Sequence, residues 1–287
     1  TVRGTTEITE RSVNAQVNIN SGVGSAYADL KLQDVNRAER ATYNGFVSLI
    51  DFDLARFTGN PDLGLTTLDV NVEGQGFTAE SLNTEIIGEV YNLSFNQYRY
   101  EDISVSGLLK DELFDGSLQS KDPNFRFIFE GLADFGSDPR TFNFSASVDY
   151  ADLHKLNFIE DSISVFKGDV VMDITGDDPD NIRGDIRFSK TQFQNKNNTY
   201  YFEDFKIESS FGPDSTRTIE INSPDIITGY MRGKFKVREL GKLLQNSAGS
   251  IYTNYSPYEI SEGQQMSFNF RIYNKIVEVF FPEVSFG

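Results

Sequence analysis

Apolar and polar residues alternate with a period of two along most of the chain. The pattern is clearest over 125–130, 142–150, 169–175 and 266–272, where Phe, Tyr, Val, Met, Ile or Ala occupies every second position. Because successive side chains of a strand point to opposite faces, each segment predicts a strand with one apolar and one polar face. Turn signals such as Gly59-Asn60-Pro61-Asp62 separate roughly 17 strands of this kind.

Helix is predicted in only three short stretches, at 53–57, 152–156 and 238–244. Each directly follows a strand and carries an acidic-Leu pair with a second apolar residue three positions further on. That spacing suits one or two helical turns with a narrow apolar stripe. The sequence therefore predicts an all-β, antiparallel sheet with a few short helices.

An internal repeat is visible in the same elements. The segment Tyr98–Val105 matches Tyr200–Ile207 at an offset of 200 − 98 = 102, and Gly131 matches Gly233 at the same offset. Since each unit can bury its apolar face only beside its neighbours, we predict a single elongated segment over 1–287 with repeats of about 90–100 residues. The polar start and strand-like end predict a piece of a larger protein.

The apolar side of the strands is the main candidate surface. Its interpretation is open between the interior of a β-sandwich or closed β-helix and an open groove. Two features favour the groove: the chain lacks the short regular coils of a β-helix, and its large side chains suit an irregular, mobile ligand. The predicted groove residues are Phe125, Phe127, Phe129, Phe142, Phe144, Val148, Val170, Met172, Ile174, Phe205, Ile207, Met266, Phe268, Phe270 and Ile272.

Composition narrows the possible partners. The formal net charge is −17 with a pI near 4.5, so nucleic acid and anionic membrane surfaces would be repelled. The absence of cysteine removes disulfides and thiolate metal sites, and suits an extracytoplasmic protein that folds without oxidation. No apolar run reaches the length of a membrane span. We expect no cofactor and no membrane-spanning segment.

The sequence contains little that would indicate a catalytic site or a metal site. The one histidine, His154, lies on a predicted short helix without a neighbouring pattern that would make it a base. Among 43 acidic residues no spacing selects a glycosidase-type pair. The acidic residues at 177–181 could hold a hard cation, but they also suit a plain turn between strands. We predict no enzyme, no catalytic residue and no metal.

Several motifs resemble one known family. The segment 52–74, Phe-Asp-Leu-x-x-Phe-x-Gly-Asn-Pro-Asp-Leu-Gly-x-x-Thr-Leu-Asp-Val-x-Val-x-Gly, is similar to TamB, the translocation and assembly module, in its Bacteroidota-type form. So are 98–107, 114–118, 122–125 and 149–153. The resemblance covers about 43–245, within a family related to the AsmA-like proteins.

This resemblance implies a periplasmic body built from a sheet curled into an open apolar groove. The full-length protein would be anchored in the inner membrane, would cooperate with an outer-membrane partner of the Omp85 class, and would carry phospholipid acyl chains towards the outer membrane. We expect neither the anchor nor the family's conserved C-terminal domain within the segment 1–287. Two alternatives stay open: a scaffold or holdase for outer-membrane proteins that works by β-augmentation, and a carbohydrate-active β-solenoid.

Overall fold

A computed structural model describes residues 1–9, 12–78, 80–160, 163–196, 198–249 and 256–273. Within them lie seventeen strands in one antiparallel sheet that is not closed into a barrel, together with two short helices. The predicted all-β fold and the approximate strand number are confirmed. The strands are β1 Val2–Ile8, β2 Ser12–Ser21, β3 Gly24–Gln33, β4 Thr42–Asp53, β5 Leu63–Gln75, β6 Asn83–Phe95, β7 Tyr98–Lys110, β8 Leu113–Lys121, β9 Phe125–Asp134, β10 Thr141–Asp152, β11 Ser164–Thr175, β12 Arg183–Asn195, β13 Thr199–Phe202, β14 Phe205–Phe211, β15 Arg217–Ser223, β16 Ile227–Lys234 and β17 Gln265–Ile272.

The two helices lie where the acidic-Leu pairs predicted them. Helix α1 spans Leu54–Thr58; the Asp53 side chain accepts a hydrogen bond from the Arg56 backbone N–H, and Gly59 ends the helix with a φ of 78°. A 3₁₀ turn over Val237–Glu239 leads into α2, Leu240–Gly249. Within the part of the chain that the structure describes, neither helix is long and apolar enough to cross a membrane.

The third predicted helix, at 152–156, is wrong. Asp152 begins it as expected, because its side chain accepts from the Lys155 N–H and its carbonyl accepts from the Leu156 N–H. Asn157 then adopts a φ of 63°, which a right-handed helix cannot continue through. The segment is a single hydrogen-bonded turn.

The chain divides into two compact units. The first comprises 1–136, 144–169 and 192–199; the second comprises 137–143, 170–191 and 200–287. In the first unit, each of the strands β1 to β9 pairs with the next in sequence. In the second, β14 to β17 pair in sequence order and β12 pairs with β14.

The repeated sequence motif has a shared local structure. In the first unit the Asp122 side chain accepts a hydrogen bond from the backbone N–H of Glu101. In the second the Asp225 side chain accepts one from the backbone N–H of Glu203, which matches Glu101 at the offset of 102. In each copy, an aspartate side chain thus fixes the backbone at the glutamate of the Glu-Asp pair. The predicted repeat of the whole segment stays a prediction.

Candidate functional site

The first unit presents a continuous uncharged face across nine strands. Directly opposite residues of an antiparallel pair share a face, so the registers trace rows that cross the sheet. The central row runs Gly4, Val17, Ala28, Val47, Val70, Gly88, Val105, Leu118 and Phe129. Every member is apolar or glycine, so this row carries no polar side chain from β1 to β9.

Three further rows extend this face. The row on one side is Val2, Ile19, Ala26, Leu49, Leu68, Val90, Ile103, Ser120 and Phe127. The rows on the other side are Thr6, Ala15, Leu30, Gly45, Val72, Ile86, Gly107, Gly116 and Gly131, followed by Ile8, Val13, Leu32, Tyr43, Gly74, Thr84, Leu109, Phe114 and Ala133. No position in the four rows is charged. We call these rows the apolar face.

Charged residues occupy the opposite side of the same strands. Asp69, Glu73 and Glu130, for example, alternate with apolar-face residues on β5 and β9. The sheet therefore separates the acidic surface from the hydrocarbon surface by the thickness of one backbone layer.

The apolar face is only partly buried. Ten hydrophobic residues are buried among the described residues of the whole chain, and of the four rows only Val70 and Tyr43 belong to them. Val2 and Ile8 on β1 are 70% and 73% exposed, and most other members of the rows are intermediate. The interior of a packed sandwich would bury such positions almost completely. This face is therefore accessible over much of its area.

A line of backbone irregularities borders the apolar face on β4 to β7. The register shifts between Leu49 and Phe52 and again between Thr67 and Leu68, and Asp51 and Asp102 have φ values of 45° and 50°. Bulges of this kind bend strands and increase their twist. Just beyond the line, Phe52 and Thr66 are buried.

The second unit carries an equivalent surface. On β16, Ile227, Gly229, Met231 and Gly233 lie opposite Ile272, Phe270, Phe268 and Met266 of β17. On β14, Ile207 lies between Ile186 and Ile221, and Phe205 lies opposite Phe188. Phe268 and Ile272 are 53% and 62% exposed, so this apolar surface also reaches solvent.

The structure places the predicted groove residues in these surfaces as follows. Phe127 and Phe129 belong to the apolar face, and ring contacts at 4.4 Å and 4.9 Å between centroids connect Phe125 to Phe127 and Phe144 to Phe129. Val148 alternates in phase with Phe144 on β10. The other ten residues, including Phe142 on the same strand, belong to the second unit. There, Val170 and Met172 are half-buried and Ile174 is buried, whereas Val171 between them is exposed.

The prediction missed most of the apolar face, namely the contributions of β1 to β8. Alternation is present there, as in Leu68, Val70 and Val72, but the rows also pass through Gly45, Gly88, Gly107 and Gly116. A glycine carries no hydrophobic signal, so alternation measured on apolar residues fades at these strands. Counting glycine as permitted on the apolar side would have found them.

A polar cluster fixes one end of β7 and β9 in the first unit. Asp122 is fully buried, and its carboxylate accepts hydrogen bonds from the Tyr98 hydroxyl at 2.7 Å and from the backbone N–H groups of Glu101, Asn124 and Phe125. The Asn124 amide also donates to the Tyr98 oxygen at 3.0 Å. Burial, with the hydrogen bond to Asp122, raises the pKa of Tyr98 to about 12.

This pKa predicts a loss of stability at alkaline pH. Unfolded Tyr98 releases its proton near pH 10, whereas native Tyr98 keeps it until about pH 12. The contribution of Tyr98 to stability is therefore complete below pH 10 and is lost as the pH rises through about 12. We expect the stability advantage of the wild type over Tyr98→Phe, measured by urea unfolding, to shrink across this interval. A constant difference would contradict the assignment.

The acidic turn at 177–181 is a structural turn. The Asn181 side chain accepts hydrogen bonds from the backbone N–H groups of Asp177 and Asp178. Asp178 forms a 2.6 Å ion pair with Arg238, and Asp180 accepts from the Val237 N–H at 2.5 Å. Its carboxylates are thus engaged by protein groups, and the described residues contain no group of three or more potential metal ligands.

A buried arginine lies in the row of the second unit that continues through Gly233 to Met266. Arg217, 3% exposed, lies opposite Phe211 and Gly233 and donates to the carbonyl oxygens of Pro179 and Ile182 and to the Ser209 hydroxyl. Burial lowers its pKa. Its guanidinium also lies 5.1 Å from the centroid of the Phe211 ring. Arg217 therefore anchors the acidic turn to the sheet.

The histidine has a local contact only. His154 is exposed, and its Nδ1 lies 3.2 Å from the carbonyl oxygen of Ile159 in the same loop. This contact joins two ends of one turn.

The chain was compared with family models, curated proteins and solved structures. No family model matches the chain, and neither a curated protein nor a solved structure matches it. The apolar face itself is therefore the feature from which a function can be inferred.

Proposed function

We propose that the chain shelters acyl chains on its apolar face and takes part in phospholipid transfer between the inner and outer membranes. The observation that carries the proposal is the set of four uncharged, partly exposed rows across nine strands. Monomeric soluble proteins rarely expose apolar patches larger than a few hundred Å², and larger ones mark binding surfaces. The resemblance of 43–245 to TamB-like sequences supports the same function and the periplasmic location.

The dimensions of the apolar face suit an acyl chain. Neighbouring strands lie about 4.8 Å apart, so nine strands give a row of about 38 Å. The hydrocarbon core of a bilayer is about 30 Å thick, and each of its two leaflets therefore spans about 15 Å. A row is thus longer than one extended acyl chain, and a lipid could move along it without leaving the hydrocarbon surface.

The energetics require a continuous surface. Transfer of each methylene from water to an apolar environment gains about 0.8 kcal/mol, so a 16-carbon chain gains about 12 kcal/mol. A single charged position within a row would interrupt that gain, because a charge cannot shed its water without a partner. The absence of charge from all four rows therefore favours a surface along which lipid is transported. An ordinary half-buried sheet face has no need to exclude charge from every row. The headgroup would stay in water.

The proposal predicts lipid in the purified protein. When the chain is expressed and purified without detergent, we expect native mass spectrometry to detect bound phospholipid, approaching one or more molecules per chain. Solvent extraction followed by thin-layer chromatography identifies the lipid. Protein that contains no lipid and takes none from vesicles, but binds unfolded outer-membrane β-strands, would favour the scaffold function.

A further inference from the structure

A polar cleft lies on the side of the sheet opposite the apolar face. It crosses β3 to β7 of the first unit with a volume of about 740 Å³, within the range of small-molecule sites. Tyr43 and Gly74 also contribute to its lining, and Leu108 adds an apolar patch. We propose that this cleft binds a neutral oligosaccharide, at a site separate from the acyl-chain surface.

The first reason is the range of polar groups that converge there. Two adjacent rows of the sheet supply an ammonium, four amides and two carboxylates. Amides donate and accept, Lys donates, and carboxylates accept. A ligand that matches all of these side chains must carry many groups that can both donate and accept hydrogen bonds, and the hydroxyl groups of a sugar have this property. The ammonium is that of Lys31, the amides are those of Gln33, Asn44, Gln75 and Asn83, and one of the carboxylates is that of Glu85.

The second reason is that these groups do not satisfy one another. Elsewhere on this side of the sheet, cross-strand polar neighbours pair: Gln16 donates to Asp29 at 2.9 Å, and Ser104 donates to Glu89 at 2.9 Å. Within the part of the chain that the structure describes, none of these ammonium, amide and carboxylate side chains forms a hydrogen bond or an ion pair. Their donors and acceptors remain available to a ligand.

The third reason is the arrangement of the carboxylates. Glu73 and Glu85 lie directly opposite each other on β5 and β6, and like charges at such positions destabilise a sheet. Hydroxyl groups of a sugar could donate to both carboxylates, while the nearby Leu108 offers an apolar surface to the C–H face of a sugar ring. A ligand with a net negative charge would be repelled by the same pair.

The test uses the whole chain with cellobiose and chitobiose as probes. In an NMR titration we expect either disaccharide to shift the side-chain amide resonances of Asn44 and Asn83. Asn83→Ala should weaken the binding about tenfold, which corresponds to the loss of one well-formed hydrogen bond. The matched control is Asn71→Ala, an exposed amide on the same side of β5 and outside the cleft, which should leave binding unchanged.

Three results would overturn the proposal. The first is an absence of shifts with both disaccharides at millimolar concentration, while the wild type remains folded. The second is binding that Asn83→Ala and Glu85→Ala leave unchanged. The third is a response of the same resonances to Ca²⁺ with none to the sugars, which would make the cleft a cation site. Because Glu85 and the control residue Asn71 are exposed, their variants retain the fold and the result can be interpreted.

Discussion

Replacement of Phe127 by Asp is expected to abolish lipid binding along the apolar face while leaving the protein folded. Phe127 ends one of the four uncharged rows and is half-buried. A carboxylate at this position can reach water when no lipid is bound, so the fold should lose only about 1–3 kcal/mol. An acyl chain lying along the row would have to desolvate the charge, and we expect its occupancy to fall by at least about tenfold.

The measurement combines thermal unfolding with site-specific crosslinking. A photoreactive residue at Val105, in the central row, reports lipid on the apolar face, and one at Ser106 reports the opposite face of the same strand. The wild type should crosslink lipid from position 105 and not from 106. Phe127→Asp should lose the crosslink and keep its unfolding transition.

The neighbouring residue provides a matched control. Ile128 follows Phe127 on β9, points to the opposite face and is 50% exposed. Ile128→Asp introduces the same charge on the same strand, so it should change neither the fold nor the crosslinking. Equal losses in both variants would contradict a one-sided lipid surface. An unfolded Phe127→Asp protein would instead mean that this position lies in a closed core.

Much of this architecture follows from local sequence rules. Alternation predicted the strands, and the acidic-Leu pair of Asp53 and Leu54 predicted the first helix, because each feature depends on neighbours in sequence. The turn at 152–156 has the same start signal, yet the conformation of Asn157 ends it. The backbone N–H groups of Phe158 and Ile159 both donate to the Leu153 carbonyl oxygen, a closure of the turn that the acidic-Leu spacing does not record.

The rows themselves could not be predicted from the sequence. Each row depends on the register of eight successive strand pairs, and a slip of one residue in any of them would transfer its side chains to the opposite face. The bulges near Asp51 and Thr67 shift two of those registers. The polar cleft was missed for the same reason, since Lys31, Glu73 and Glu85 approach one another only through pairing. Alternation identifies the apolar face of a single strand, whereas the structure is needed to show which residues of neighbouring strands lie beside one another.

The largest loss of stability is expected from Asp122→Ala. Asp122 is fully buried, and the variant would remove the acceptor of four hydrogen bonds, one from the Tyr98 hydroxyl and three from backbone N–H groups. Each unsatisfied buried donor costs about 1–3 kcal/mol, and partial entry of water offsets some of this. We expect the free energy of unfolding to fall by about 3–5 kcal/mol.

Urea unfolding of three variants tests this assignment. Asp122→Asn keeps the size of the side chain and one acceptor oxygen, so its loss should lie between those of the wild type and Asp122→Ala. Asp115→Ala is the control: this residue is exposed on the adjacent β8 strand, and its replacement should change stability by no more than about 0.5 kcal/mol. Tyr98→Phe should cost less than Asp122→Ala, because it removes one donor and leaves the three backbone bonds intact. If Asp122→Ala costs no more than the exposed control, the Asp122 cluster does not hold β7 against β9, and the end of the apolar face near Phe127 must be fixed by ring packing alone.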